Sequence, residues 1–285
     1  TMSILDGRQV KMQVLKELKE KLLKLNEPIV LAVIQVGDDA ASSVYVRQKN
    51  KMAADLNYRF QHIKLARNIE ENELLKIIEN LNNDDTVDGI LVQMPIPKHL
   101  DATKIQNSIL ASKDVDGLTD INAGKLMHGI DALVPCTPMG IIDLLDYYNI
   151  PIESKNVVVI GRSNLVGKPM ANLMTNRNAT VTLCHSKTEN LIYYTRNADI
   201  LVAAVGIPNF ITEDMVKPGA VIIDVGINRL PDGSLCGDVD FASVKEKASY
   251  ITPVPGGVGQ MTVAELAVNT YKAHTLQKSL TKQGK

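Results

Sequence analysis

Tyr45 and Lys49 stand one helical turn apart in "VYVRQKNK", on the one stripe of that segment that is otherwise apolar. Ala41, Tyr45, Lys49, Met52 and Leu56 recur at steps of four, four, three and four, which is one face of an α-helix, while Arg47 and Lys51 point away from it. An ammonium on such a stripe has to be desolvated, paired or functional. A snorkelling lysine, its stem packed and its head in water, gives the same pattern. Gln93 ends the apolar segment "DGILVQ", the position at which open α/β sheets place ligand-binding groups. Its amide could fix a neighbouring ammonium. If the Lys49 helix follows the first strand of the same sheet, both residues share one rim, and proton transfer is the chemistry the lysine suits.

A second candidate is "VVVIGRSNLVGKPMANLM", a strand, a glycine turn and a helix, the arrangement that sets a pyrophosphate on a helix N-terminus. Gly161 and Gly167 are present, but Ser163 takes the middle glycine position of G-x-G-x-x-G, so the tight turn of any α/β protein fits as well. The following strand ends in "CHSKT". An NAD site wants an acid there for the ribose hydroxyl, and His185, Ser186 and Lys187 supply none. A hydroxyl among basic neighbours suits a 2′-phosphate, to which Arg162 adds a fixed cation, so NADP is expected over NAD. His185 reads as a hydrogen-bonded surface residue, since no nucleophile accompanies it.

"TPVPGGVGQMT" places Gly256, Gly257 and Gly259 where backbone could approach a ligand closely, or where the chain could flex as a hinge. "SKDVDGLTDIN" is read as a loop whose Asp114, Asp116 and Asp120 each suit an Asx-turn. Two acids two apart with no third ligand make a poor calcium loop. His62, His99, His128 and His274 are scattered, and Cys136, Cys184 and Cys236 form no C-x-x-C, so neither a zinc site nor a disulfide framework is expected.

The elements that would position these groups alternate between helix and strand. Apolar spacing predicts a helix over 8–25, a strand over 29–36, the Lys49 helix begun by Asp38 and Asp39, a strand near 58–65, a helix near 71–82 and a buried strand at 88–93. Thr137 is expected to cap a helix with Pro138 in its first turn. Five strand candidates follow at 156–161, 179–185, 198–206, 220–226 and 250–254. A last helix has Thr262 and Glu265 as a capping box. Continuous apolar strands alternating with helices predict parallel, doubly covered sheets in two α/β domains.

The 285 residues suffice for two cores, and a balance of 45% hydrophobic with 22% charged residues is that of a globular chain. A net charge of −1 provides no field for nucleic acid or a membrane surface, and 4% aromatic residues without tryptophan provide no stacking platform. No apolar run reaches the length of a membrane span, and no secretory leader is visible at "TMSILDGRQV", so the cytoplasm is expected.

"YVRQK", "GILVQMPIP", "KDVDG", "PCTP", "GRSNLVGKP", "CHSKT", "DVGIN" and "ITPVPGGVG" occur in one order between "ILDG" and the last helix. With them the chain resembles the bifunctional methylenetetrahydrofolate dehydrogenase/methenyltetrahydrofolate cyclohydrolase family. The resemblance implies an N-terminal substrate domain over 1–138, to which the C-terminal helix, 262–285, returns, and a Rossmann-type NADP-binding domain over 139–261. It implies NADP-dependent oxidation of a one-carbon tetrahydrofolate derivative followed by hydrolysis, in a homodimer paired through the nucleotide domain. Lys49 would be the catalytic lysine, Gln93 would orient it, Tyr45 would lie along the folate and Asp116 would bind the pterin ring, with Val92 and Met94 beside Gln93 as further substrate contacts. Gly161, Arg162, Ser163, Ser186 and Ile227 would hold NADP. Pro255, Gly256, Gly257, Val258, Gly259, Gln260, Met261, Thr262 and Val263 would line the substrate side.

The sequence departs from that family at Gln260, where proline is usual. Glutamine restores a backbone N–H and freedom in φ, so a looser loop is expected. Two other readings stand beside this one. A shikimate-type NADP dehydrogenase also combines such domains with a functional lysine but would pair it with an aspartate. A non-catalytic NADP-sensing protein would not need a lysine on an apolar stripe.

Overall fold

A computed structural model describes residues 1–284 of the chain. The elements in its first half are β1 (Ser3–Ile4), α1 (Gly7–Leu22), β2 (Val30–Val36), α2 (Ala40–Asp55), β3 (Arg59–Leu65), α3 (Glu71–Asn82), β4 (Gly89–Val92), α4 (Ala102–Ser108), α5 (Asp120–Met127) and α6 (Cys136–Tyr147). There follow β5 (Asn156–Ile160), α7 (Gly167–Asn176), β6 (Thr180–Cys184), α8 (Leu191–Thr195), β7 (Ile200–Ala203), β8 (Val221–Asp224), β9 (Asn228–Arg229), β10 (Leu235–Cys236), α9 (Phe241–Val244), β11 (Tyr250–Ile251) and α10 (Thr262–Gln283). They form two compact units, residues 15–136 with 263–285, and residues 1–14 with 137–262.

The first of these units is built on a parallel three-stranded sheet in the order β3-β2-β4. All seven residues of the central strand are buried, because both of its faces are covered. Leu31 and Val33 pack with Val46 and Met52 of α2, with Leu56 just after it, and with Leu266, Ala267 and Ala273 of α10. Val30, Ala32 and Ile34 face the other way, onto Leu74, Ile78 and Leu81 of α3. That alternation turns an uninterrupted apolar run into two separate cores. The C-terminal helix returns to this unit. Asn269 Nδ2 donates to the carbonyls of Val115 (2.9 Å) and Val134 (2.8 Å), and the buried His274 meets buried Asp88 at 2.9 Å.

The second unit holds a parallel six-stranded sheet in the order β1-β11-β8-β7-β5-β6, and a short antiparallel hairpin of β9 and β10. Because β5 lies between β6 and β7, the chain reverses its direction of travel across the sheet beside β5, and the carboxyl end of that strand is a switch point.

Three local expectations need correction. Residues 1–14 belong to the six-stranded unit, with 137–262, and not to the unit of 15–136. Strand β1 pairs with β11, Ser3 opposite Tyr250, and Leu5 and Val10 enter the core of the six-stranded unit. Thr137 lies inside α6, which starts one residue earlier. The acidic segment 112–122 is only partly loop, for α5 begins at Asp120 with the Thr119 hydroxyl accepting from Asn122 N at 3.3 Å.

Candidate active site

Helix α2 starts where its sequence says it should, with the Asp39 carboxylate accepting from Ser42 N at 2.9 Å. Its buried residues are Ser42, Val46, Met52 and Ala53. The expected apolar stripe is covered only at its C-terminal end: Met52 and Leu56 are buried, whereas Ala41 is exposed and Tyr45 is 51% exposed. Lys49 is half-buried at the point where the stripe leaves the core.

From there the Lys49 ammonium donates to Gln93 Oε1 at 2.5 Å. Gln93 is itself buried, and its Nε2 donates to Met94 O at 3.2 Å, which fixes which end of the amide meets the lysine. The Ser42 hydroxyl donates to the same carbonyl at 3.3 Å and so ties the start of α2 to the segment leaving β4. Met94–Pro95 is a cis peptide. Val92 does not turn its side chain toward Lys49. It packs into the core on the α3 side of the sheet, as the strand's alternation requires.

The three acids of "KDVDGLTD" separate by environment. Asp114 is fully buried and structural: its carboxylate accepts from Thr119 N (2.9 Å), Asn122 Nδ2 (2.8 Å) and Leu118 N (3.3 Å). Asp120 opens α5 on the surface and takes a bond from Asn107 at 3.1 Å. Asp116 is different. Its half-buried carboxylate has no hydrogen-bond or ion-pair partner among the described residues. Desolvation raises its pKa above the ordinary carboxylate value; the positive charge of Lys49 opposes that rise and Asp114 adds to it. Cys136 belongs to the same electrostatic neighbourhood. Burial, then Asp116 and then Glu265 push its thiol well above its usual value. Neither Cys136 nor Glu265 stood out in the sequence, where the glutamate read as part of a helix cap.

In the six-stranded unit the turn after β5 is sterically committed to glycine. Gly161 has φ +113°, and a Cβ on it would lie 2.2 Å from Ala204 O. A Cβ on Gly167 would lie 1.9 Å from Gly161 O, so α7 packs directly on the turn. Ser163 replaces the middle glycine without distortion and uses its hydroxyl to accept from Val166 N at 3.1 Å. Arg162 and Ser186 are both exposed. His185 is a turn residue, with its N–H donating to Thr188 Oγ1 (2.9 Å) and its Nδ1 accepting from Lys187 N (3.2 Å). The tight glycine turn from β5 into α7 and the lack of an acid directly after β6 fit a phosphorylated dinucleotide.

Two buried acids organise the loops beyond β7 and β8, and sequence reasoning missed both. Asp238 Oδ2 accepts from Val205 N (2.7 Å) and Gly206 N (3.0 Å), while Oδ1 takes Asn228 Nδ2 (2.9 Å). Asp224 accepts from the backbone N–H of Gly226 (3.0 Å), Asp238 (2.9 Å) and Val239 (3.1 Å). Desolvation nevertheless raises Asp224 to about 6, against the pull of those bonds. Ile227, 59% exposed, sits on the loop these carboxylates fix.

The glycine segment before α10 is firmer than expected. The Gln260 N–H that proline would lack donates to Gly257 O at 3.1 Å and closes a 3₁₀ turn over Val258–Gln260. Val258 and Met261 point into the core of the six-stranded unit, which withdraws their side chains from the substrate-lining set. Pro255 and Gly259 are exposed, Gly256 and Gly257 buried, and Gln260 half-buried. The Thr262 hydroxyl meets that of Thr137 at 3.4 Å, and Val263 packs at the edge of the α2 core.

Residues 5–116 match the catalytic domain of the tetrahydrofolate dehydrogenase/cyclohydrolase family, and residues 135–278 match that family's NAD(P)-binding domain. The bifunctional protein FolD of Campylobacter hominis is 53% identical over 275 residues, covering 95% of this chain and 97% of that protein. The crystal structure of the bifunctional FolD methylenetetrahydrofolate dehydrogenase/cyclohydrolase from Campylobacter jejuni aligns with a TM-score of 0.94 at 48% identity, over 97% of this chain and 99% of that one. The FolD enzyme of Trypanosoma brucei, crystallised with NADP and an inhibitor, aligns with a TM-score of 0.89 at 35% identity, over 96% and 98% of the two chains.

Proposed function

The chain belongs to the tetrahydrofolate dehydrogenase/cyclohydrolase family, and from that membership we propose how its residues divide the work. It is a bifunctional enzyme. NADP-dependent oxidation of 5,10-methylenetetrahydrofolate yields the 5,10-methenyl cation, and hydrolysis of that cation yields 10-formyltetrahydrofolate.

The observation that carries the assignment of roles is the Lys49–Gln93 bond at the carboxyl end of β4, with Asp116 in its electrostatic reach. In the hydrolysis, water adds to the methenyl carbon and gives up a proton. The bond from that carbon to N5 then breaks, and N5 takes up a proton. Lys49, held by Gln93, carries the proton from one position to the other. Asp116, without a hydrogen-bond or ion-pair partner among the described residues, accepts the adjacent donors of the pterin, and exposed Tyr45 lies along the folate. Met94 and residues 255–263 contribute chiefly backbone to the substrate side, with Gln260 and Thr262 offering polar side chains.

Bound NADP⁺ supplies the hydride acceptor. Gly161 and Ser163 shape the turn that receives its pyrophosphate, Arg162 and Ser186 hold the 2′-phosphate, and Ile227 packs against the cofactor on a loop pinned by Asp238. The active form is a homodimer paired through the nucleotide unit, working in the cytoplasm.

The experiment is direct. Purified protein is given 5,10-methylenetetrahydrofolate with NADP⁺ or NAD⁺ while methenyl absorbance is followed, and preformed methenyltetrahydrofolate is then offered without cofactor. Methenyl formation with NADP⁺ and enzymatic loss of the preformed cation are expected. Equal use of both cofactors would remove the roles given to Arg162 and Ser186.

A further inference from the structure

The Asp116 carboxylate has neither a hydrogen-bond nor an ion-pair partner among the described residues, so its direction is set by the backbone that carries it. That backbone is closely determined. The Gly117 N–H donates to Asp114 O at 3.0 Å and closes a turn with Asp116 inside it. On the upstream side Asp114 bridges to Ile90 of β4, the strand that leads to Gln93. On the downstream side Gly117 has φ +68°, and a Cβ on it would lie 2.6 Å from Val134 C. The turn therefore rests directly on segment 134–135.

One side chain joins the turn to that segment. Asn269 of α10, 6% exposed, donates through Nδ2 to Val115 O at 2.9 Å and to Val134 O at 2.8 Å. The first of these carbonyls belongs to the peptide group between Val115 and Asp116. The two hydrogens of a single amide thus serve two carbonyls from separate stretches of chain. Cys136 Sγ lies 3.9 Å from Val115 O, a weak donor that could not take over the bond. The helix is itself fastened on both sides of the amide. The Tyr58 hydroxyl donates to Ala267 O at 2.9 Å, and His274 meets Asp88 at 2.9 Å. A buried amide is costly unless it is bonded, so these two carbonyls account for an asparagine beside Leu266, Ala267 and Ala273 in the core.

We propose that Asn269 is a positioning residue for folate recognition: by holding the Val115 and Val134 carbonyls it fixes the peptide group that carries Asp116, and with it the aim of that carboxylate at the pterin. The proposal rests on the reading of Asp116 above. Asn269 touches no substrate itself. Its loss acts through Asp116 on folate affinity and leaves the cofactor's site, which lies in the other unit, as it was.

The test is a double-mutant cycle read by calorimetry. Binding of tetrahydrofolate, kept anaerobic, and of NADP⁺ is measured for the parent, Asn269→Ala, Asp116→Ala and the double variant. Asn269→Ala should weaken tetrahydrofolate by about fivefold to tenfold, the scale of one net hydrogen bond, and leave NADP⁺ affinity unchanged. In the Asp116→Ala background the same change should have no further effect, because the two residues act as one unit. Asn269→Ser, which keeps one donor hydrogen, should fall between parent and alanine variant, and it carries the same cycle if Asn269→Ala does not fold. Parental tetrahydrofolate affinity in Asn269→Ala beside a weakened Asp116→Ala would overturn the proposal. So would additive losses in the double variant, or an equal loss of NADP⁺ affinity. An Asp116→Ala protein with parental affinity would instead remove the reading of Asp116, and the proposal with it, so the two failures are told apart.

Discussion

Replacing Lys49 with methionine keeps an unbranched apolar stem at that position of α2 and removes only the ammonium and its 2.5 Å bond to Gln93. A charge-assisted bond of this kind is worth about 1.5–3 kcal/mol, and losing it leaves a buried amide oxygen without its donor. Removing a half-buried cation returns part of that, because its own desolvation cost disappears. The net change is about 1–2 kcal/mol or less, so Tm should move by less than about 6 °C. Catalysis should respond on another scale. Loss of general acid–base help costs about 10²–10⁴-fold, so methenyl hydrolysis should fall to the background rate, while hydride transfer, which depends on alignment, falls less. A second signature follows from Asp116. Its pKa is raised by burial and held down by Lys49, so the variant's carboxyl titrates higher still, and the acid limb of the residual dehydrogenase activity should shift to higher pH. The assays are the decay of methenyl absorbance, corrected for the uncatalysed reaction, and methenyl formation with NADP⁺ across pH. A folded Lys49→Met protein that hydrolyses the cation at the parental rate would refute the reasoning and make Lys49 a snorkelling side chain.

Asp116→Asn keeps the volume but offers donors where the pterin needs acceptors; turnover should be lost with Tm nearly unchanged, and retention of normal folate affinity would count against the assigned role. Arg162→Ala should raise KM for NADP⁺ at least about tenfold while leaving KM for NAD⁺ alone, as measured by initial rates with each cofactor. Asp224, raised from 3.8 to about 6, stabilises the protonated fold by roughly 3 kcal/mol below pH 4, and that contribution is lost as pH rises through 6. Relative to Asp224→Asn, the parent should therefore lose stability between pH 4 and pH 7 in denaturant titrations. A constant difference between the two proteins would show that the carboxyl does not titrate there.

Much of the architecture was legible because its cause is local. The alternating strand and helix periods located β2, α2, β3, α3 and β4, and the continuous burial of β2 follows from its apolar run. Lys49 was legible for the opposite reason, as a charge that contradicts the pattern around it. Gly161 and Gly167 carried their turn because no side chain fits there. Other features had no local cause. Strand β1 is two residues long, and its place beside β11 depends on a partner more than 240 positions away. Val258 and Met261 fall within a motif that reads as a ligand loop, yet the backbone there turns them into the core.

Residue types, spacing and order therefore determined the α/β class, the half-buried place of Lys49 and the glycine turn after β5, since each is written within one helix, one strand or one turn. Only the tertiary structure decided how the acids are used. Asp114, Asp116, Asp224 and Asp238 are the same side chain in the sequence, and three of them are bound into backbone N–H groups that folding brings to them. Asp116 is left half-buried without a hydrogen-bond or ion-pair partner among the described residues, within the electrostatic reach of Lys49. The physical reason is that a carboxylate's role is set by desolvation and by the donors around it, and both are properties of the packed neighbourhood.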